Sequence, residues 1–165
     1  MILRSLIAFS LLTTANSAPD YNAQTLTPVA DKVAEAKAPH ENKRLVDLIQ
    51  AVNARVNEAI EGEGDLEHYG IEELWVMYPP DGKGDCEDYA LTKLGMLSQL
   101  GVPIVQYTKI VSIIVHLKHA EPEGHAILAI RFPHGTVLYL DNMNPELMTR
   151  RELLAQGYQF FDWKA

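Results

Sequence analysis

Apolar positions along this chain follow two different periods. From Glu41 to about Ile60, the residues Leu45, Leu48, Ile49, Val52, Val56 and Ile60 recur at steps of three and four, the single stripe of an amphipathic helix. EGEGD, residues 61–65, ends it, and Leu66 to Trp75 reads as a short helix. YPPDGKG, residues 78–84, carries Pro and Gly that break both helix and strand ladders, so no regular element is expected there. A second helix begins at Asp85, a good N-cap, with Glu87 and Asp88 in the first turn where the helix dipole favours acids. Leu91, Leu94, Leu97 and Leu100 carry it to Gly101, with Pro103 just beyond.

The period then changes. Residues 104–117, 125–132 and 136–141 are rich in Ile and Val and read as three antiparallel strands. PHG at 133–135 is a hairpin turn, and NMNPE at 142–146 is another turn. A short helix from about Pro145 to Gln156 and a last strand through Phe160 and Phe161 complete the chain. Helices first and strands after predict an α+β domain with a helix packed on a sheet.

The 165 residues suggest one domain, and 47% hydrophobic against 22% charged residues is an ordinary globular balance. A formal net charge of −8, with no basic cluster, argues against nucleic acid or an anionic membrane as partner. The first twenty residues differ from the rest. Arg4 gives a positive start, Leu6 to Leu12 is mostly apolar, and the small residues Ala15, Ser17 and Ala18 follow. This is the pattern of a secretory signal peptide over residues 1–18, and its apolar run is too short to span a bilayer. The Ala-, Pro- and Thr-rich stretch 19–40 reads as an extended arm or linker, which leaves 41–165 as the folded domain. No segment is expected to insert stably in a membrane, so the mature protein is expected to be periplasmic or secreted.

Export raises a question about Cys86, the only cysteine. A lone thiol in an oxidising compartment can form no internal disulfide, and catalysis is one reason to keep it. Cys86 stands in GDCEDYA, flanked by Asp85, Glu87 and Asp88, whose charges disfavour a thiolate. The same acids suit a helix start, and at the first helical position the dipole favours the thiolate. A nucleophilic cysteine needs a base held by a third group. Of six histidines, His125 opens a strand in GHAILAI, and Asp141 closes the next in VLYLDN. They are 16 residues apart with a turn midway, so a hairpin sets the first residue of one strand beside the last of the other. A Cys–His–Asp set in that order is geometrically reasonable. The bland reading keeps Cys86 as a packing residue and the other two as turn neighbours.

These blocks together resemble the bacterial transglutaminase-like cysteine proteinases. GDCEDYALTKLGMLSQLGVP, then GHAILAI, then VLYLDN, stand in the family's order, and VNARVNEAI and Trp75 match features found upstream of its cysteine. The resemblance spans residues 45–163. It implies a papain/transglutaminase-like fold, with a cysteine-bearing helix packed on an antiparallel sheet. It also implies Cys86 as nucleophile, His125 as general base and acid, and Asp141 as the group orienting His125. It implies calcium near Asp85 and Glu87 as well. A cation there would offset the carboxylate repulsion on Cys86. The family's activity is cleavage of a protein or peptide substrate, in its best-known members a large surface adhesin. WVMYPPDGKGDC departs from the family's usual W-x-T-P-x-E block, which bears on the edge of the cleft.

Three other readings use the same residues. An amine could intercept the acyl-enzyme, giving transamidation. A binding module could keep the fold without catalysis. A zinc site could join Cys86 to His116, His119 and His125, although on a strand His116 and His119 point to opposite faces. Trp75 is expected to be a buried aromatic, and His40, His68 and His134 are expected to face solvent.

Overall fold

The computed structural model describes residues 18–26, 42–102, 108–115 and 123–160. The apolar leader at 1–17, most of the linker, His40, His116, His119 and Phe161 lie outside the described residues.

Helix α1 spans Lys43–Ala59, and the Asn42 side chain caps it by accepting from the Leu45 N–H. Val46, Ile49, Val52 and Val56 are fully buried, as the three-and-four spacing predicts. The helix buries a second, polar face as well, with Asp47, Gln50 and Asn53 out of water. Helix α2, Asp65–His68, is one turn rather than a run to Trp75, and Gly70 follows it in the left-handed region at φ 73°.

YPPDGKG is not wholly irregular. Strand β1, Glu61–Gly62, pairs in parallel with β2, Lys83–Gly84. Glu61 donates its N–H to Gly82 O and Glu63 donates to Gly84 O. Both prolines precede the ladder, and two residues are too few for a periodicity to register.

Helix α3 spans Cys86–Gln99 and lies against both α1 and the sheet. Of the expected leucine stripe only Leu97 is fully buried, while Tyr89, Ala90, Thr92, Lys93 and Met96 join it. A helix covered on two sides shows no single stripe, because its polar residues must also go inside.

The sheet is made of β3 (Thr108–Val115), β4 (Glu123–Arg131), β5 (Val137–Leu140) and β6 (Tyr158–Phe160). Its order is β5-β4-β3-β6, with every neighbour antiparallel. The β4–β5 hairpin closes through Gly135 at φ 91°. Alternation sorts the two faces. Leu128, Ile130, Leu138 and Leu140 enter the core with α1 and α3. Ile127, Ala129, Tyr139 and Tyr158 pack on the other face with Leu153. Leu153 belongs to α4, Arg150–Ala155, which opens with a Thr149–Glu152 capping box and is shorter than the sequence suggests. The result is the α+β arrangement of a cysteine-bearing helix on an antiparallel sheet. Residues 18–26 carry one 3-10 turn, Ala23–Thr25, with Asn22 and Leu26 extended on either side of it, and they lie on the domain. Tyr21 donates to Pro79 O, Arg55 holds Asp20, and Ala23 is buried.

Candidate active site

Cys86 is the first residue of α3. Asp85 occupies the cap position but makes no side-chain cap bond, so its carboxylate is turned to something other than closing the helix. Strand β4 runs past the end of β5, and in that overhang the Ala126 N–H donates to Cys86 Sγ at 3.3 Å. The cysteine is thereby set at the backbone of His125's neighbour. The thiol itself donates to Glu87 Oε2 at 3.1 Å. Burial, with the Glu87 and Asp85 carboxylates added, pushes the thiol up to about 12, against the lowering by the Ala126 N–H. The helix dipole alone therefore does not make a thiolate here. Burial and the neighbouring carboxylates thus favour the thiol over the thiolate that a helix start alone predicts.

His125 and Asp141 meet as the spacing suggested. His125 Nε2 lies 2.8 Å from Asp141 Oδ1, and both residues are buried. Burial works to raise the Asp141 carboxyl, and the hydrogen bonds from His125 and Tyr158 overcome it, holding the group at about 2. An ionised carboxylate accepts, so Nε2 carries the proton and Nδ1 is the free ring nitrogen. The register differs from the expected one by two residues. Leu128 pairs with Leu140, which sets Asp141 across from Ile127 and diagonal to His125. An even offset keeps both side chains on one face, within diagonal reach.

Asp141 is held from several directions. Oδ1 also accepts the Met143 N–H at 3.0 Å, and Oδ2 accepts from Tyr158 Oη at 2.5 Å and Asn144 Nδ2 at 2.7 Å. The Asn57 amide donates to the Asp141 main-chain oxygen at 2.9 Å. Asn53 and Gln50, on the same buried face of α1, bond the carbonyls of Asn144 and Pro145. VNARVNEAI is therefore a helical row of amides that grips the turn bearing Asp141.

The acids around the cysteine form a cluster wider than the expected pair. Carboxylate oxygens of Asp65, Asp85 and Asp88 lie within 4.8 Å of one another, and Asp85, Cys86 and Glu87 form an adjoining group within the same limit. Asp88 is thus more than a dipole partner, and Asp65 comes from α2, 20 residues upstream of Asp85. Asp65 Oδ2 accepts the Leu74 N–H, and Asp88 Oδ1 accepts the Val76 N–H at 2.6 Å. One buried oxygen on each of Asp65, Asp85 and Asp88 has no hydrogen-bond partner among the described residues. Burial and mutual proximity raise the Asp85 carboxyl, push Glu87 up to about 7 and push Asp88 up to about 6. Unpartnered hard oxygens among crowded acids fit a divalent cation such as calcium. Gly84 is required here, because a Cβ would sit 2.9 Å from Asp88 Cβ.

Trp75 is not buried. It is 47% exposed, in a strap whose main chain is tied to Asp65 and Asp88 on either side of it. His68 pairs with Asp81 at 2.8 Å instead of facing solvent freely, whereas His134 is exposed as expected. Lys93, two turns along α3 from Cys86, is fully buried beside the Tyr89 ring, and burial pushes it down to about 7 against the pull of Asp141. The sequence reading missed Asp65, Asn57, Lys93 and Tyr158. The spacing of Asn53 and Asn57 on one face of α1 was a usable signal. A lone tyrosine after α4 carried none.

Comparison with known proteins agrees with this architecture. The model of the bacterial transglutaminase-like cysteine proteinase family matches residues 21–164. The EGTA-treated structure of Legionella pneumophila LapG superposes with a TM-score of 0.51 at 19% identity, covering 81% of each chain. The calcium-bound structure of the same protein gives 0.50 at 17% identity, covering 87% of this chain and 86% of that one. At such identity these two show a common fold. No curated protein sequence matches the chain.

Proposed function

The chain belongs to the bacterial transglutaminase-like cysteine proteinase family, and on that premise we propose that it hydrolyses peptide bonds with Cys86 as nucleophile, His125 as base and acid, and Asp141 as the orienting group. The observation that carries this reading is the meeting of α3 with the β4 overhang. What supports it is the Ala126 N–H on Cys86 Sγ together with the His125–Asp141 hydrogen bond.

In this reading His125 Nδ1 takes the proton of the Cys86 thiol, the sulfur adds to the scissile carbonyl carbon, and the C–N bond then breaks. His125 passes a proton from Nδ1 to the departing amine, which leaves a thioester on Cys86. His125 then takes a proton from water, the hydroxide adds to the thioester, and the acid product leaves as the thiol is restored. The Cys86 N–H, at the start of α3, is the donor for the oxyanion. Asp141 stabilises the imidazolium that forms.

Calcium is the cofactor of this reading. Asp65, Asp85 and Asp88 would hold it, with Glu87 alongside, and one of the solved structures sharing the fold is calcium-bound. Bound there, it would supply the positive charge that offsets the carboxylates beside the thiol. The substrate is a protein or peptide, with a large surface adhesin as the candidate drawn from the family. The N-terminal 1–18 segment is read as the export signal, and no described helix is long and apolar enough to cross a membrane.

Iodoacetamide labelling followed by intact-mass analysis tests the assignment. Proteolysis should disappear in step with one carbamidomethyl group at Cys86, and activity persisting in fully labelled protein sinks the reading.

A further inference from the structure

The carboxylate of Asp141 reaches His125 with only one of its oxygens. The other accepts the Tyr158 hydroxyl at 2.5 Å and Asn144 Nδ2 at 2.7 Å, and the same Asn144 nitrogen lies 3.1 Å from the Tyr158 oxygen. Tyr158 starts β6 and is 3% exposed. Its ring stands edge-on to His125, with centroids 6.2 Å apart.

Asp141 sits beyond the end of β5, where no ladder fixes it. Its side-chain torsions would be free without partners. A carboxylate that rotates swings Oδ1 away from Nε2 and releases the imidazole to turn. Two neutral donors on Oδ2 stop this rotation without adding a charge that would compete with His125 for the carboxylate. The hydroxyl proton points at the carboxylate, and burial together with Asp141 raises the Tyr158 phenol, so this residue has no proton to give to chemistry.

We propose that Tyr158, paired with Asn144, is a positioning residue that locks the Asp141 rotamer and through it the orientation of His125. The kinetic part of this rests on His125 serving Cys86; the geometric part does not.

The test is Tyr158→Phe in the full chain, read in two ways. Nitrogen-15 histidine NMR follows the His125 Nε2–H resonance, which the carboxylate shifts downfield. Release of p-nitrophenol from p-nitrophenyl acetate follows acylation of Cys86. The proposal expects the resonance to lose its downfield shift. It expects kcat to fall about tenfold to a hundredfold, the scale of one hydrogen bond to a charged group, with KM unchanged. An unmoved resonance overturns it, and so does a moved resonance with an unchanged rate. Should Tyr158→Phe fail to fold, Asn144→Ala in the half-buried turn removes the other bond to Oδ2 and is read the same way. A wild-type chain that never acylates would refute the peptidase reading, while the resonance would still decide the clamp.

Discussion

His125 and Asp141 share a 2.8 Å hydrogen bond although they are not opposite one another in their hairpin. The ladder pairs Leu128 with Leu140, so the bond runs diagonally from β4 to the turn after β5. The length of the overhang decides this. β4 continues past β5 for several residues, and that space holds both the Asp141 carboxylate and the sulfur of Cys86. The diagonal reach makes the pair dependent on what supports Asp141 from behind.

Substitution of the two reacting groups gives the first prediction. Cys86→Ser and His125→Ala should each abolish peptide cleavage and leave the far-UV circular dichroism of the wild type. The half-buried Cys86 side chain packs little apolar volume, so no fold loss is expected. Cleavage retained by Cys86→Ser would end the nucleophile assignment.

A cation on the acidic cluster should stabilise the fold. Linkage at a hundredfold excess over Kd adds about 2.7 kcal/mol, or roughly 10 °C in Tm for a domain of this size. Scanning calorimetry with calcium and with EGTA reads the difference. Asp65→Asn and Asp88→Asn should erase it, and so should Gly84→Ala, whose added methyl group displaces Asp88. Equal Tm values in calcium and EGTA for the wild type would remove the cation from the account.

The same acids fix a pH dependence. Glu87 at about 7 and Asp88 at about 6 lie above the ordinary values of 4.5 and 3.8, so the folded chain holds more protons than the unfolded one between those limits. Stability in EGTA should therefore be fully present near pH 4 and fall as the pH rises toward 7. Calcium should flatten that fall. Urea midpoints at pH 4.5, 5.5 and 6.5 in the two buffers measure it, and a rise with pH in EGTA contradicts the cluster's electrostatics.

Lys93 acts in the opposite direction at higher pH. Burial pushes it down to about 7 from 10.5, so between those values the unfolded chain carries the extra proton. Stability then increases with pH across that window, by at most about 1.4 kcal/mol per pH unit. Lys93→Met should remove that slope and stabilise the protein at pH 7, read from urea denaturation at pH 7, 8 and 9. An unchanged slope in the variant would mean the ammonium is not the group titrating.

The amide row on α1 should matter for stability and for Asp141 together. Asn53 is fully buried and donates to Asn144 O and Pro145 O. Asn53→Ala leaves those carbonyls without their donor, at a cost of about 1–3 kcal/mol in unfolding free energy. A change within error of zero would show that the turn holds itself.

The sequence by itself determined the elements whose cause is local. The α1 stripe, the helix start at Cys86, the β4–β5 hairpin and the closeness of His125 to Asp141 all follow from spacings within one element or one turn. The GDCEDYA block likewise carried the family. Tertiary structure decided the rest, because each remaining feature joins segments far apart in the chain. The α2 carboxylate of Asp65 meets Asp85 and Asp88 only when α2 folds against the start of α3. Asn57 and Tyr158, far apart in the chain, both reach Asp141. The thiol's raised pKa also comes from burial and from Glu87's rotamer, which a helix-start argument does not contain. A residue's spacing fixes its face, but only packing fixes which charges and donors surround it, and at this site those surroundings decide whether the cysteine is a thiol or a thiolate.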